Sequence, residues 1–147
     1  MKPDFFIEKL VKSDWNQLAQ IYSDLSLIHK VFFNWNLKSA LDEFEISESF
    51  ILKNNSVIQS FVTFRIYPDR IEIMAIGTRP NSSRLGYASS LLAEVMTFAA
   101  ERSAPVWLEV HENNLQAIRF YVKNHFSIMN QRKSYYADGG TALIMRS

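Results

Sequence analysis

The stretch Ile71-Glu72-Ile73-Met74-Ala75-Ile76-Gly77-Thr78-Arg79-Pro80-Asn81-Ser82-Ser83-Arg84-Leu85-Gly86-Tyr87-Ala88 decides how this chain is read. Its first eight residues are mostly apolar, β-branched at one end and broken by glycine at the other, which predicts a buried strand. Beyond the turn, Ala88, Leu91, Leu92, Val95 and Ala99 recur at helical spacing, which predicts an amphipathic helix. A polar turn feeding a helix N-terminus has a physical use: free backbone N–H groups and the positive end of the helix dipole attract a phosphate. Gly86 lets the backbone approach such an anion closely, and Ala88 adds little bulk beside it. The pattern is neither G-x-G-x-x-G nor a P-loop. Taken alone, it reads equally well as an ordinary strand-to-helix turn.

Working outward, Phe5 to Leu10 predicts a first strand. Ser13-Asp14 can cap a helix carrying Trp15, Leu18, Ile21, Tyr22 and Leu25 on one face. Ile28 to Trp35 is aromatic without clear period, and Asn36 can cap a second helix with Leu37, Leu41 and Phe44 inward. Ser49–Lys53 and Val57–Ile66 read as a hairpin about Asn54-Asn55, where left-handed geometry is cheap. Tyr67-Pro68-Asp69-Arg70 then turns into the central strand, so these strands pair antiparallel. After the central helix, Pro105 marks a break and Val106–Val110 predicts a strand. A helix between two strands implies a right-handed crossover and parallel pairing. Asn113 or Asn114 can cap a further helix with Leu115, Ile118 and Val122 on one face, ending at His125-Phe126. Ser127–Tyr136, the turn Asp138-Gly139-Gly140 and Thr141–Met145 read as a closing hairpin. The expectation is a single α+β domain over 1–147 with a mixed sheet.

Composition narrows the function. The 147 residues are 48% hydrophobic and 21% charged, which is globular rather than disordered. A net charge of +1 without a run of Lys and Arg argues against a nucleic-acid partner. The chain has no cysteine, which removes disulfides, thiolate metal sites and a Cys nucleophile. His29, His111 and His125 show no metal-ligand spacing, so no metal is expected. Met1-Lys2-Pro3-Asp4-Phe5-Phe6 lacks the apolar region of a signal peptide, and no apolar run approaches the ~20 residues of a membrane span. The expectation is a cytoplasmic protein without a membrane partner.

Three stretches resemble the GNAT superfamily of acetyl-CoA-dependent N-acetyltransferases. Ile76–Pro80 through Gly86-Tyr87-Ala88 is similar to its acetyl-CoA loop, Q/R-x-x-G-x-G/A. Leu108-Glu109-Val110 with Asn114, Ala117, Phe120-Tyr121 and Phe126 resembles its second motif. Tyr135-Tyr136-Ala137-Asp138-Gly139-Gly140-Thr141 to Met145 resembles the closing hairpin of the ribosomal-protein-alanine N-acetyltransferases, and Phe33-Asn34-Trp35 is loosely similar to that subfamily's stretch between the first two helices. Two positions depart from the pattern. Ser83 replaces the long Gln/Arg donor near the pyrophosphate, and His125 replaces a glycine at a helix end that often sits at φ > 0.

The resemblance implies attack of a neutral amine on the thioester of acetyl-CoA, held where the strands Ile71–Thr78 and Val106–Val110 splay apart. Ile76, Gly77, Thr78, Ser83, Arg84, Leu85, Gly86, Tyr87, Ala88, Ser89 and Asn114 would bind the cosubstrate, although Asn is also a routine helix cap. An N–H of Ile76, Gly77 or Thr78 could serve the oxyanion. Tyr121 matches the general acid, against a packing role beside Phe120 with its hydroxyl on a carbonyl. A phenol near pKa ~10 facing a thiol near ~8.5 makes full proton transfer uphill by roughly 2 kcal/mol, so hydrogen bonding to the leaving sulfur suits it better. Two carboxylates compete as base. Glu109 matches the alanine-acetylating subfamily and shares a face with Trp107 and His111. Glu72 sits where lysine-acetylating relatives place theirs, or is simply a solvated strand residue. His111, beside Glu109, is also a candidate proton relay. The acceptor is an amine, either a protein N-terminus or a small or lysine amine. A catalytically silent acyl-CoA-binding domain is the rival class, and a monomer or a dimer is compatible with the chain.

Overall fold

The computed structural model describes residues 5–147. Met1–Asp4, which begin the expected domain and the segment read above for a leader, lie outside the described residues. Strand β1 (Phe5–Lys9) leads through a 3-10 turn (Lys12–Asp14) into helix α1 (Trp15–Ile28), then α2 (Leu37–Phe44). Strands β2 (Glu48–Asn54), β3 (Val57–Ile66) and β4 (Ile71–Thr78) follow. The remainder alternates α3 (Tyr87–Glu101), β5 (Val106–His111), α4 (Leu115–Lys123), β6 (Ser127–Arg132) and β7 (Ala142–Arg146). All seven strands join one sheet in the order β1-β2-β3-β4-β5-β7-β6. Only β4 and β5 pair in parallel, as a crossover through α3 requires.

Each face of the sheet has its own core. On one side Leu91, Leu92 and Val95 of α3 and Tyr121 of α4 bury Ile71 and Ile73 of β4, Val106, Leu108 and Val110 of β5 and Met145 of β7. On the other, Leu18, Ile21, Tyr22 and Leu25 of α1 with Ala40 and Phe44 of α2 bury Ile51, Ile58, Phe61 and Ala75. That second cluster draws nothing from β5, β6 or β7. Helices α1 and α2 therefore cover only the first half of the sheet, and the matching face of the second half stays open.

Inside β4 the register against β3 slips: Thr63 faces Ala75 while Phe64 faces Ile73, and Met74 has no partner. This bulge reverses the side-chain alternation. Ile71 and Ile73 point to α3, whereas Ala75 points to α1. The sequence pattern alone did not reveal it, because every residue from Ile73 to Ile76 is apolar or small.

Two local expectations are corrected. Neither Ser13 nor Asp14 caps α1 through its side chain; Asp14 instead takes Lys53 Nζ at 3.2 Å. The hairpin strand predicted to reach Tyr136 ends at Arg132. Ser134 is left-handed (φ 53°), and the N–H groups of Tyr135 and Tyr136 both donate to the Gly140 carbonyl. The tyrosines favour a strand by propensity, yet tertiary contacts fold them into a loop. The Asn36 cap is present as a capping box with Ser39.

Candidate active site

The parallel pair β4–β5 is matched over three residues only: Ile71 with Val106, Glu72 with Trp107 and Ile73 with Leu108. Beyond that point both strands continue, β4 to Thr78 and β5 to His111, held by β3 and β7 on their outer sides. The β5-facing backbone groups of β4 past Ile73 thus have no strand partner, and a fork opens between the two strands. Gly77 lies on its β4 arm for a packing reason: a Cβ there would sit 2.8 Å from Leu25 Cδ1 and from Phe61 Cζ. Its carbonyl faces β3, accepting from Ser60 Oγ at 2.8 Å, and Thr78 Oγ1 bonds the same hydroxyl.

From the end of β4 the chain passes a short 3-10 turn (Pro80–Ser82) and reaches α3 through Ser83–Gly86. Ser83 Oγ donates to the Pro80 carbonyl, so this side chain is spent on the turn. Arg84 (φ 64°) and Gly86 (φ 79°) are both left-handed, separated by Leu85. The N–H groups of Arg84, Leu85 and Gly86 make no hydrogen bond among the described residues. Those of Tyr87, Ala88 and Ser89 open the helix and have no intrahelical partner. Six successive donors, 84 to 89, therefore form a concave cradle at the positive end of α3. The arrangement fits the pyrophosphate of acetyl-CoA. A Cβ on Gly86 would meet nothing within 4 Å, so conformation rather than crowding within the protein asks for glycine. Tyr87 contributes its N–H alone, because its ring is buried edge-on against Phe5.

Glu72, Trp107, Glu109 and Ile144 line an open depression of ≈ 260 Å³ on the uncovered face, flanked by Arg70 and Arg132. The two candidate bases are brought into one groove. Each has a guanidinium beside it: Arg70 Nε lies 3.6 Å from Glu72 and Arg132 Nε 3.5 Å from Glu109. Both carboxylates are about three-quarters buried, at 25% and 24% side-chain exposure.

Tyr121 is buried on the opposite face, between the rings of Phe120 and Phe126. Burial pushes its phenol well above the ordinary value. The hydroxyl reaches no carbonyl and has no hydrogen-bond partner among the described residues, where no fully buried side-chain oxygen or nitrogen goes unpaired. It therefore opens onto accessible space. The carbonyl contact expected of pure packing is absent.

His111 is 3% exposed, and both ring nitrogens are engaged. Nδ1 accepts the Asn113 N–H at 3.1 Å and Nε2 lies 2.8 Å from Asp138 Oδ2. No nitrogen is left to relay a proton from Glu109. Asn114 caps α4 through Oδ1, taking the Ala117 N–H at 3.3 Å. His125 does adopt the left-handed conformation (φ 70°), completing a Schellman motif with His125 N–H on Val122 and Phe126 N–H on Tyr121. Sequence reasoning left Tyr136 and Arg132 out of the site. Tyr136 stacks on His111 with centroids 4.9 Å apart, and burial together with the nearby Glu109 charge pushes its phenol up to about 12. Its place became legible only once the hairpin folded back. No group of three or more His, Asp or Glu among the described residues could hold a metal. No helix among them is long and apolar enough to cross a membrane.

A forked parallel pair, an anion cradle and a carboxylate groove define an acyl-transferase architecture. The profile of the Acetyltransferase (GNAT) family matches residues 7–126, and the chain belongs to that family. It is an acetyltransferase of a family that uses acetyl-CoA. No curated protein matches it in sequence. Among solved structures, the ribosomal-protein-S18-alanine N-acetyltransferase from Escherichia coli superposes with a TM-score of 0.82 at 25% identity, covering 97% of this chain and 92% of that one. Ard1 from Thermoplasma volcanium gives 0.84 at 21% identity, over 99% and 97%. Arabidopsis thaliana Naa50, solved with the bisubstrate analogue CoA-Ac-MVNAL, gives 0.82 at 19% identity, over 99% of each chain.

Proposed function

We propose that this chain, as one domain over 1–147, moves the acetyl group of acetyl-CoA to an amine, and that the amine is the N-terminal α-amine of a protein such as a ribosomal protein. The observation that carries the reading is the meeting of the β4–β5 fork with Glu109 in the open groove. The likeness to the Escherichia coli enzyme named for ribosomal protein S18 supports the acceptor class.

In this reading the 84–89 amides and Asn114 hold the cosubstrate, whose thioester supplies the activated acetyl group. Unpaired N–H groups of β4 near Ile76–Thr78 stabilise the oxyanion. Glu109 takes the amine proton, directly or through water. Tyr121 donates a hydrogen bond to the leaving sulfur. Its burial enlarges the roughly 2 kcal/mol gap between phenol and thiol, so donation without full transfer is its part. An α-amine of pKa ~8 needs about 1 kcal/mol to deprotonate at pH 7, against nearly 5 for lysine. An open groove whose carboxylates each sit beside a guanidinium suits the easier substrate. Glu72 in the same groove favours a second reading, a lysine or small-amine acceptor. The enzyme in either case works in the cytoplasm, as monomer or dimer, without nucleic acid or membrane.

Acetyl-CoA turnover, read by mass spectrometry across peptides, free amino acids and polyamines, tests this. Acetylation confined to peptides with a free α-amine is expected. Transfer to polyamines alone would select the second reading, and no transfer at all would leave the silent binding domain.

A further inference from the structure

His111 touches three separate segments besides its own strand. Its Nδ1 holds the Asn113 N–H, at the turn that sets up α4. Phe32, from the segment between α1 and α2, packs edge-on against the ring at 5.2 Å. The loop between β6 and β7 closes over it: Tyr136 stacks on its face and Asp138 takes Nε2. Gly140 lies so close that a Cβ there would stand 2.1 Å from Nε2. Asp138 is braced in turn, since its Oδ1 accepts the Gly140 N–H at 2.9 Å.

His111 also shares a strand face with Glu109, two residues away. Tyr136, stacked on the imidazole, feels the Glu109 carboxylate. The loop thus packs on the residue two places beyond Glu109 on the same strand face, and Phe32 packs on the same ring. A buried side chain with both nitrogens spent cannot be the base, but it can fix what surrounds the base.

We propose that His111, through Asp138, is a positioning residue that locks the β6–β7 loop and its Tyr136 as a wall for the incoming acceptor. This rests on the acetyl-transfer reading above. Nδ1 accepts from the backbone, so the ring carries its proton on Nε2 and donates it to Asp138. Asp138 is the fold-safe place to break the lock, because its side chain is 43% exposed.

The test is steady-state kinetics of Asp138→Ala and Asp138→Asn with an α-amine peptide, preceded by wild-type turnover. Asp138→Ala should raise the acceptor KM roughly tenfold or more, the scale of one lost charge-assisted hydrogen bond. Acetyl-CoA affinity should be unchanged, and kcat should stay within a few-fold. Asp138→Asn keeps one acceptor oxygen, enough for Nε2 or for the Gly140 N–H but not for both, and should fall between wild type and Asp138→Ala in acceptor KM. Kinetics of Asp138→Ala equal to wild type would overturn the proposal. So would equal losses in KM, kcat and acetyl-CoA affinity for both variants, which mark general structural damage. A wild type that acetylates no amine overturns the acetyl-transfer reading itself, and this inference with it. Imidazole ¹⁵N NMR of the wild type supplies an independent check: a protonated Nε2 and bare Nδ1 are expected, and the opposite tautomer contradicts the lock.

Discussion

Glu109 and Arg132 meet at 3.5 Å on the uncovered face of the sheet, one from β5 and the other from the end of β6 across β7. The pair is looser than a hydrogen bond, so the carboxylate can turn to an amine without leaving a buried charge unpaired. If the acceptor is an α-amine, Glu109→Gln should depress kcat/KM mainly below pH 8. Raising the pH should recover much of the loss, because an amine of pKa ~8 becomes its own free base. Glu72→Gln should then matter little. With a lysine acceptor, over ~99% protonated at pH 8, recovery should fail and Glu72 becomes the stronger base. Paired pH–rate profiles decide, using matched peptides of which one has its α-amine blocked. Wild-type behaviour of both variants at pH 6.5 would remove both carboxylates from the role.

Tyr121→Phe should lower kcat by roughly 10²–10⁴-fold if the hydroxyl serves the leaving sulfur. Acetyl-CoA affinity should hardly change, since the ring keeps its packing against Phe120 and Phe126. A variant within twofold of wild type would leave Tyr121 as packing.

Acetyl-CoA should stabilise the fold by about 2.7 kcal/mol at a hundred times its Kd. A thermal scan with millimolar acetyl-CoA should show the rise in midpoint. Gly86→Val should abolish it, because a β-branched residue resists φ 79° and projects into the cradle. An unchanged midpoint for the wild type would remove the cosubstrate assignment.

His125→Gly should stabilise the protein by roughly 1 kcal/mol, since it relieves a left-handed L-residue at an exposed helix end. Urea unfolding measures this directly, and a loss of stability would mean that the His125 side chain makes a contribution its exposure does not show.

Much of this was legible in the residues. Alternation and helical spacing located the strands and helices, and Asn36 and Asn114 announced their caps. The turn before α3 was legible as a candidate anion site through Gly86, but the left-handed Arg84 beside it carries no sequence signal. Glu72 and Glu109 could be named but not shown to share a groove, because 36 residues separate them and only the crossover brings their strands together. The lock on His111 was hidden for the same reason, with Asp138 lying 27 residues on.

Stability should also fall in alkali. Tyr22 is fully buried, donating or accepting in a hydroxyl chain with Thr63 and Ser49, and burial raises its phenol far above the ordinary value. Tyr121 is raised in the same way. A folded pKa above the unfolded one stabilises fully below pH ~10 and loses that stabilisation as pH climbs beyond it, by about 1.4 kcal/mol per unit for each group. Urea midpoints should change little from pH 9 to 10 and drop steeply by pH 11, and Tyr22→Phe should flatten that drop. A flat wild-type profile would mean that these phenols ionise as freely folded as unfolded.

The unpartnered Met74 gives β4 two addresses. Before it, odd-numbered residues serve the α3 layer and Glu72 is handed to the groove; after it, Ala75 is delivered to the α1 layer. Substituting a residue here changes one contact, whereas deleting one would misdeliver every side chain on one side of the cut. The number of residues in this strand is therefore under a tighter constraint than the identity of any one of them, and chain length between Ile71 and Thr78 becomes the parameter on which both cores and the groove depend.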